Sequence, residues 1–584
     1  MSCNPSIGGV GKGHMVRELD AMGGAMGRLT DAAGIHFRIL NESRGVAVRG
    51  PRAQADRVKY RAAARNLLES TPNHHLHQGM ASGLRWRRGT RELEGVELLD
   101  GSFIPCDAVV ITSGTFLNGC ILVGERRIES GRAGEPASTH LAEQLRALGL
   151  RWRRLKTGTS PRIAKGTIDF SRLVKQPGDA PPRAFSFFGP GIVLPQVDCH
   201  LVSTTPETEA IIRENLKRSS MYGGHIQGVG PRYCPSIEDK FVKFPDKDRH
   251  QIFVEPDSLE TDEIYLAGLS TSMPVDVQIR MVQSLPGFER AEILRPGYAI
   301  EYDSFDPLQL RQDLSMEGLD GVWFAGQVNG TTGYEEAAGQ GLMAGINAVR
   351  HLRGQAPIVL GRDQAYIGVM IDDLVTKGTD EPYRMLTARA EHRLGLACDL
   401  ADVRLLPVAR EVGALPESAF AITEAKLDRR LRLGQQCGET WVTQTSSFGS
   451  IAEAAGLTLN AGMTLTEFFK RQQITEVLAD RALEALPGWS EPQQGWDATW
   501  ERDLLLFEIR YSGYRERESR LLDAHRAWDH VRIPSDFDLE ALSGLSREVK
   551  EKLRHHQPET LGQAARIPGI TPAAVALLQV LIER

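Results

Sequence analysis

Short apolar runs that end at glycines alternate along the chain with stretches of helical spacing. CDAVVITSGTF (106–116) holds one such run, Ala108 to Thr112, which ends at Ser113-Gly114 and predicts a buried strand. GLDGVWFAGQVNGTTGYEEAAGQGLMAGINAV (318–349) repeats the arrangement. It predicts a strand from Gly321 to Ala325, a glycine-rich turn from Gly326, and a helix whose Ala337, Ala338, Gly339, Gly341 and Gly345 give a slim face. A strand, turn and helix in this order aim backbone N–H groups and the helix dipole at a phosphate or another electron-rich ligand. Residues 1–160 and 251–368 therefore read as two parts of one α/β nucleotide-binding domain. Between them 161–250, richer in Pro, Gly and aromatics, reads as an inserted β-rich domain. From 369 to 584 the spacing is helical, as in 414–436 and 538–556. The last helix is marked by Thr571 as N-cap and Pro572 at its first position, and runs to Ile582.

Composition narrows the class. A length of 584 residues suits two to four domains, and 41% hydrophobic with 25% charged residues is ordinary for a globular protein. A net charge of −6 argues against a generic nucleic-acid binder, but basic character is local. Residues 1–65 carry eleven Lys/Arg against five Asp/Glu, and RWRRLKTGTSPRIAK (151–165) carries six basic residues and no acid. That run is either a solvated arginine face or one that contacts phosphates. Seven cysteines (3, 106, 120, 199, 234, 398 and 437) without C-x-x-C spacing fit a reducing compartment, not a disulfide framework or a zinc site. No leader and no membrane-length apolar run is found, so a cytoplasmic protein is expected.

Candidate chemistry gathers in three places. The opening MSCNPSIGGVGKGH carries Cys3, Gly8, Gly9, Gly11 and Lys12. It is not a P-loop, since Gly13 follows the lysine where a hydroxyl is needed, and it lacks the G-x-G-x-x-G spacing of a dinucleotide loop. GPRYCPSIEDKFVKF (230–244) sets the thiol of Cys234 between Arg232 and the run Glu238, Asp239, Lys240; nearby cations favour a nucleophilic thiolate. A buried, inert cysteine is the plain alternative. In FAGQVNGTTGYEE, Gly326-Gln327 stands where many flavoproteins carry Gly-Asp to hold the ribityl chain, with Gly330 and Gly333 completing the turn. His74, His75 and His77 lack partner ligands at metal-site spacing. Tyr511 and Tyr514 read as one face of a helix or as base-stacking groups.

These stretches, with EPYRMLTARAEHRL and GQAARIPGITPAA, resemble the MnmG (GidA) family, the flavoprotein subunit of a tRNA wobble-uridine modification enzyme, from residue 3 to the C-terminus. The resemblance implies an FAD/NAD(P)-binding Rossmann-like α/β domain with a truncated N-terminal βαβ, an inserted β-rich domain and a C-terminal α-helical domain. It implies addition of a carboxymethylaminomethyl or aminomethyl group at C5 of the wobble uridine, with methylenetetrahydrofolate as carbon donor and NADH as flavin reductant. It also implies a homodimer that meets tRNA and an MnmE-type GTPase in a heterotetramer, away from any membrane. Cys3 and Cys234 match the family's two important cysteines. Flavin contacts map onto the glycines of the opening loop, Gln327, Ala81 and Ser138. The nicotinamide-associated stretch maps onto Gly230, Pro231, Arg232, Tyr233, Pro235, Ser236, Ile237, Glu238, Asp239, Lys240, Phe241, Val242, Lys243 and Phe244. A folate-dependent tRNA uridine methyltransferase and a catalytically silent tRNA- or partner-binding scaffold are the alternatives.

Three departures stand out. The family's first strand and G-x-G-x-x-G loop, which cradles the FAD pyrophosphate, do not precede Cys3. Either the start is misassigned, the favoured reading, or the chain as given lacks that cradle and cannot hold FAD in the family's way. An exposed edge on the central sheet is expected. His392 replaces a family tyrosine. LACDLAD (396–402) places Ala397 and Leu400 where the family has polar residues.

Overall fold

The computed structural model describes residues 3–232, 235–459, 461–489, 498–534, 544–567 and 569–582. Strands Val109–Ile111 and Val322–Phe324 pair in parallel, Val109 opposite Val322. Both lie within the two predicted strands. Among the described residues Val109–Ile111 pairs with no strand other than Val322–Phe324. After the glycine turn, helix Tyr334–Leu352 folds back onto the pair. Its slim face is only partly used for packing. A side chain at Gly339 would crowd Met15, Ile367 and Met370, whereas Gly341 and Gly345 face open space. The main core joins Trp323 and Phe324 to Met15 and Leu19 of helix Lys12–Ala21 and to Tyr366, Ile367 and Met370 of helix Tyr366–Asp372. Burial of such side chains, at about 25 cal/mol per Å² of apolar surface, is what brings segments more than three hundred residues apart together.

Strand Ser6–Gly8 joins a three-stranded antiparallel sheet, paired with Gly50–Ala55 and through it with Gly34–Leu40. The inserted domain is β-rich, but larger than the sequence suggested. Its six-stranded sheet runs in the order 174–176, 199–203, 251–256, 263–267, 162–164, 293–295. The expected boundary at 250 thus falls between paired strands. Residues 251–295 belong to the insert because Val254, Leu266, Met281 and Phe288 share its core with Ile163 and Phe241. The short apolar runs of 251–256 and 263–267 look the same in either domain, which is why sequence did not separate them.

The basic run 151–165 is neither a bare arginine face nor open to phosphates along its length. Strand Trp152–Thr159 pairs antiparallel with Tyr298–Phe305, setting Arg154 opposite Asp303 and Lys156 opposite Glu301. Arg154 Nη1 lies 2.9 Å from Asp303, and Arg151 Nε 3.0 Å from Asp306. The compensating acids sit far away in sequence, beyond the reach of a local charge count.

The C-terminal region is helical, as predicted. Helix Glu417–Glu439 covers the first expected segment from its fourth residue on, and Arg547–His556 forms the end of the second, whose residues 538–543 lie outside the described residues. The last helix is Pro572–Ile582, with Ala574 N–H donating to Thr571 Oγ1 at 3.3 Å. Ala397 and Leu400 are buried against Val46, Leu504 and Phe507, so the apolar departures in 396–402 form a small core beneath helix Ala498–His530. Beside it Arg49 reaches Asp399 at 2.8 Å and Asp503 at 2.6 Å and stacks 4.4 Å from the centroid of a Trp500 ring, tying the N-terminal unit to that helix. His392 Nδ1 faces Glu518 at 3.9 Å. Tyr511 and Tyr514 are exposed on the same helix rather than packed away, at 42% and 61%. No helix among the described residues is long and apolar enough to cross a membrane.

Candidate active site

The glycine loop and the glycine turn, more than three hundred residues apart in sequence, are bolted together by one ion cluster. Lys12 Nζ lies 2.8 Å from Glu335 and 3.0 Å from Glu336, both in the first turn of helix Tyr334–Leu352. Glu335 also accepts the Gly8 N–H at 2.6 Å, and Glu336 accepts the Met385 N–H at 2.9 Å. Burial works against a charged Lys12, but the two carboxylates outweigh it and hold its pKa above the ordinary lysine value. The lysine of the glycine-rich loop is therefore a structural tie and does not reach for a phosphate. Glycine is required on both sides. Gly8 has a φ of 86°, and a Cβ there would overlap the Pro51 carbonyl and the Phe185 ring; at Gly333 it would overlap Glu336 and Lys12.

Phe185 is held beneath Gly8 by two buried carboxylates. Asp31 accepts the N–H groups of Phe185 and Ser186 at 2.7 and 2.8 Å, and Asp20 accepts that of Phe187 at 2.7 Å. Burial lifts both acids to about 6, against the opposing pull of these N–H donors. The raised folded values mean that the native state binds more protons than the unfolded chain between about pH 4 and 6, so each acid makes stability fall as pH rises through that window. Asp31→Asn is expected to remove its share, so that the variant gains on the parent by roughly 2–3 kcal/mol from pH 4 to 6. Thermal unfolding across that range checks this; parallel curves would contradict it.

Cys3 lies where the two glycine segments meet the inserted domain. Its N–H donates to Tyr334 Oη at 3.3 Å, its carbonyl accepts from Arg162 Nη2 at 3.1 Å, and its sulfur lies 3.3 Å from Tyr265 Oη and 3.7 Å from the Gly158 carbonyl. Next to it Asn4 donates to Glu255 at 2.7 Å, and Arg52 pairs with the same carboxylate at 2.8 Å. A cavity of about 1020 Å³ abuts this cluster. Arg162 and Tyr298 line it, together with Arg57, Arg61 and Arg65 from one helix and Arg132 and Arg295 opposite. Most of these arginines are matched locally: Arg57 and Arg295 by Glu263, Arg65 by Glu69, Arg132 by Glu135. Aliphatic Val58, Leu68, Ile128 and Leu294 complete the walls.

Of the remaining flavin candidates, Gly326 and Gln327 follow the C-terminal end of strand Val322–Phe324, the usual ligand end of such a sheet. Ser138 Oγ donates to the Ala81 carbonyl at 3.2 Å, so these two residues touch. Gln327 Nε2 approaches Tyr302 Oη at 3.5 Å, and a Cβ on Gly114 would sit 3.6 Å from Gln327 Oε1. Beside Gly114 the buried hydroxyl of Ser113 has no partner among the described residues, a polar atom that a bound ligand would satisfy.

The stretch 230–244 divides in two. The residue just before it is clipped to strand 152–159: Lys156 N–H donates to the Val229 carbonyl at 2.9 Å, two residues before Gly158, whose carbonyl lies 3.7 Å from the Cys3 sulfur. Pro231, Arg232 and Pro235 lie in the following loop; Tyr233 and Cys234 fall outside the described residues. Its end, helix Ile237–Lys243, serves the insert's own interior. Ile237 and Phe241 are core residues, and buried Glu238 accepts from Ser219, Thr271 and both the N–H and hydroxyl of Ser272. Asp239 takes the Tyr222 hydroxyl and Lys243, while Lys240 donates to the Gly268 carbonyl. Ser236 is buried; Val242 and Phe244 face outward. His74, His75 and His77 are exposed, and no group of three or more His, Cys, Asp or Glu among the described residues is placed to hold a metal ion. Sequence reasoning missed Tyr265, Arg162 and Tyr334. Tyr334, Glu335 and Glu336 were visible in the GYEE motif, but Tyr265 sits in a plain apolar strand and gave no signal.

Fold and site together define a mixed α/β protein: an α/β region that pairs strands 109–111 and 322–324, a sheet-rich region that meets the Cys3 loop, and a helical C-terminal region. The chain belongs to the glucose inhibited division protein A (GidA) family, whose profile matches residues 1–356; that of the tRNA modifying enzyme MnmG/GidA C-terminal helical bundle matches 522–584. It is 49% identical to the tRNA uridine 5-carboxymethylaminomethyl modification enzyme MnmG of Syntrophotalea carbinolica, across all of this chain and 93% of that protein. The enzyme of the same name from Thermodesulfovibrio yellowstonii is 46% identical, across all of this chain and 92% of that one. Two crystal forms of Aquifex aeolicus GidA superpose with TM-scores of 0.88 and 0.86 at 41% and 42% identity, covering all of this chain and 92% and 93% of theirs.

Proposed function

We propose that this chain is a flavin-dependent enzyme that installs a carboxymethylaminomethyl or aminomethyl group at C5 of the wobble uridine of tRNA. The observation that carries the reading is the setting of Cys3: a thiol loop docked on the glycine turn through Tyr334, beside a large arginine-lined cavity. C5 of uracil is a poor nucleophile until a group adds at C6. A cysteine thiolate adding there converts C5 into an enolate-like carbon that can attack a one-carbon unit; loss of the C5 proton and departure of the sulfur restore the ring. Cys3 and Cys234 are the two thiols for this chemistry. Retention of Cys3, Cys234 and the full GQVNGTTGYEE turn in the sequence speaks against a silent scaffold, and the helical region beyond 370 against the shorter methyltransferase.

FAD would supply the redox step, with NADH as its reductant and methylenetetrahydrofolate as carbon source. Gly8, Gly9, Gly11, Ala81, Ser138, Gly326, Gln327, Gly330 and Gly333 would hold it, and the unpartnered Ser113 hydroxyl is consistent with a polar ligand there. Gly230 to Phe244 is the stretch proposed for the nicotinamide. Since Glu238 and Phe241 are committed to the insert's interior, contact falls to the loop before Ile237. A homodimer, an MnmE-type GTPase partner in a heterotetramer, and a cytoplasmic setting complete the proposal. Protein purified from the cells that make it is expected to show flavin absorbance bands or to take up added FAD. A colourless protein that takes up none would overturn the flavin assignment.

A further inference from the structure

We propose that Tyr265 is the positioning residue of the Cys3 thiol: its hydroxyl donates a hydrogen bond to the sulfur, fixes where the sulfur points, and stabilises the thiolate when it forms. This rests on the reading of Cys3 as a reacting thiol. Tyr265 Oη and Cys3 Sγ are 3.3 Å apart. The Ser160 N–H donates to the same hydroxyl oxygen from 3.4 Å, which engages its acceptor side and leaves its proton for the sulfur. In the neutral thiol the S–H has its own acceptor, the Gly158 carbonyl at 3.7 Å. On deprotonation that carbonyl no longer holds the sulfur, whereas the Tyr265 bond becomes charge-assisted and stronger.

The surroundings favour this division of labour. Tyr265 is 2% exposed, and burial first of all raises its hydroxyl well above the ordinary tyrosine value, so it remains a donor wherever a thiolate exists near neutral pH. The Arg162 guanidinium lies 4.7 Å from the centroid of the tyrosine ring while its Nη2 reaches the Cys3 carbonyl, placing a fixed cation beside both partners.

Tyr265→Phe keeps the ring and deletes the hydrogen bond. Alkylation of Cys3 by iodoacetamide, followed on the Cys3 peptide by mass spectrometry over about pH 6 to 10, reads the sulfur directly. The midpoint is expected to rise by about one pH unit, roughly tenfold slower alkylation below it, with the partly exposed Cys106 unchanged as internal reference. In tRNA modification the same variant should lose kcat about tenfold with KM for tRNA unchanged. An unmoved Cys3 midpoint, or an equal rise at Cys106, would overturn the assignment. The alkylation arm contains no tRNA, so a failure of the modification reading leaves the midpoint shift intact, whereas a failure of the Tyr265 assignment abolishes it.

Discussion

Cys3→Ser is expected to reduce wobble-uridine modification on the order of a thousandfold or more, with tRNA binding retained. Serine preserves the size of the side chain and its reach toward Tyr265 and Gly158, so the loop has little reason to move. What is lost is an atom that ionises near neutral pH and adds readily to an electron-poor ring carbon. The same substitution at Cys234 tests the other candidate thiol: a comparable loss there with near-parent activity in Cys3→Ser would assign the addition to Cys234. Single-turnover modification alongside a tRNA gel-shift separates chemistry from binding. Activity near the parent's in Cys3→Ser would remove this thiol from the mechanism; weakened binding would make the loop a docking element instead.

The second large effect concerns stability. In Lys12→Met the carboxylates of Glu335 and Glu336, 3% and 0% exposed, would be left together without their cation. Breaking a buried pair in this way costs about 3–5 kcal/mol, because an uncompensated charge remains in a medium that solvates it poorly. Glu336→Gln added to Lys12→Met should recover part of that loss, since the amide oxygen can still accept the Met385 N–H while one charge is gone. Urea unfolding of the two variants tests the argument. A loss below about 1 kcal/mol in the single variant would mean that water reaches the cluster. The raised pKa of Lys12 lies above its unfolded value, so the stabilisation is complete at neutral pH and is lost only as pH climbs through the folded value.

Much of the scaffold was legible because it rests on local rules. The strands at 109–111 and 322–324, the glycine turn between strand and helix, and the Thr571-Pro572 helix start follow from apolar runs, glycines and caps. Contacts between distant segments were not legible. Nothing local marks Asp303 as the partner of Arg154, or Glu335 as the partner of Lys12, and the charge patterns near each misled accordingly. The insert's true extent was hidden for the same reason: its strands at 251–256 and 263–267 are defined by what they pair with. At the site, motif residues gave the glycines and Cys3. The groups that act on Cys3, Tyr265 and Arg162, come from the insert and emerge only once the chain has folded.

The most direct test of the account is the wobble nucleoside itself. Expression of this chain in a bacterial strain lacking its own family enzyme, followed by nucleoside mass spectrometry of purified tRNA, should restore 5-carboxymethylaminomethyl- or aminomethyl-uridine at the wobble position, and Cys3→Ser should not. Unmodified uridine with stably expressed, folded parent protein, or a plain methyl group at C5, would contradict it.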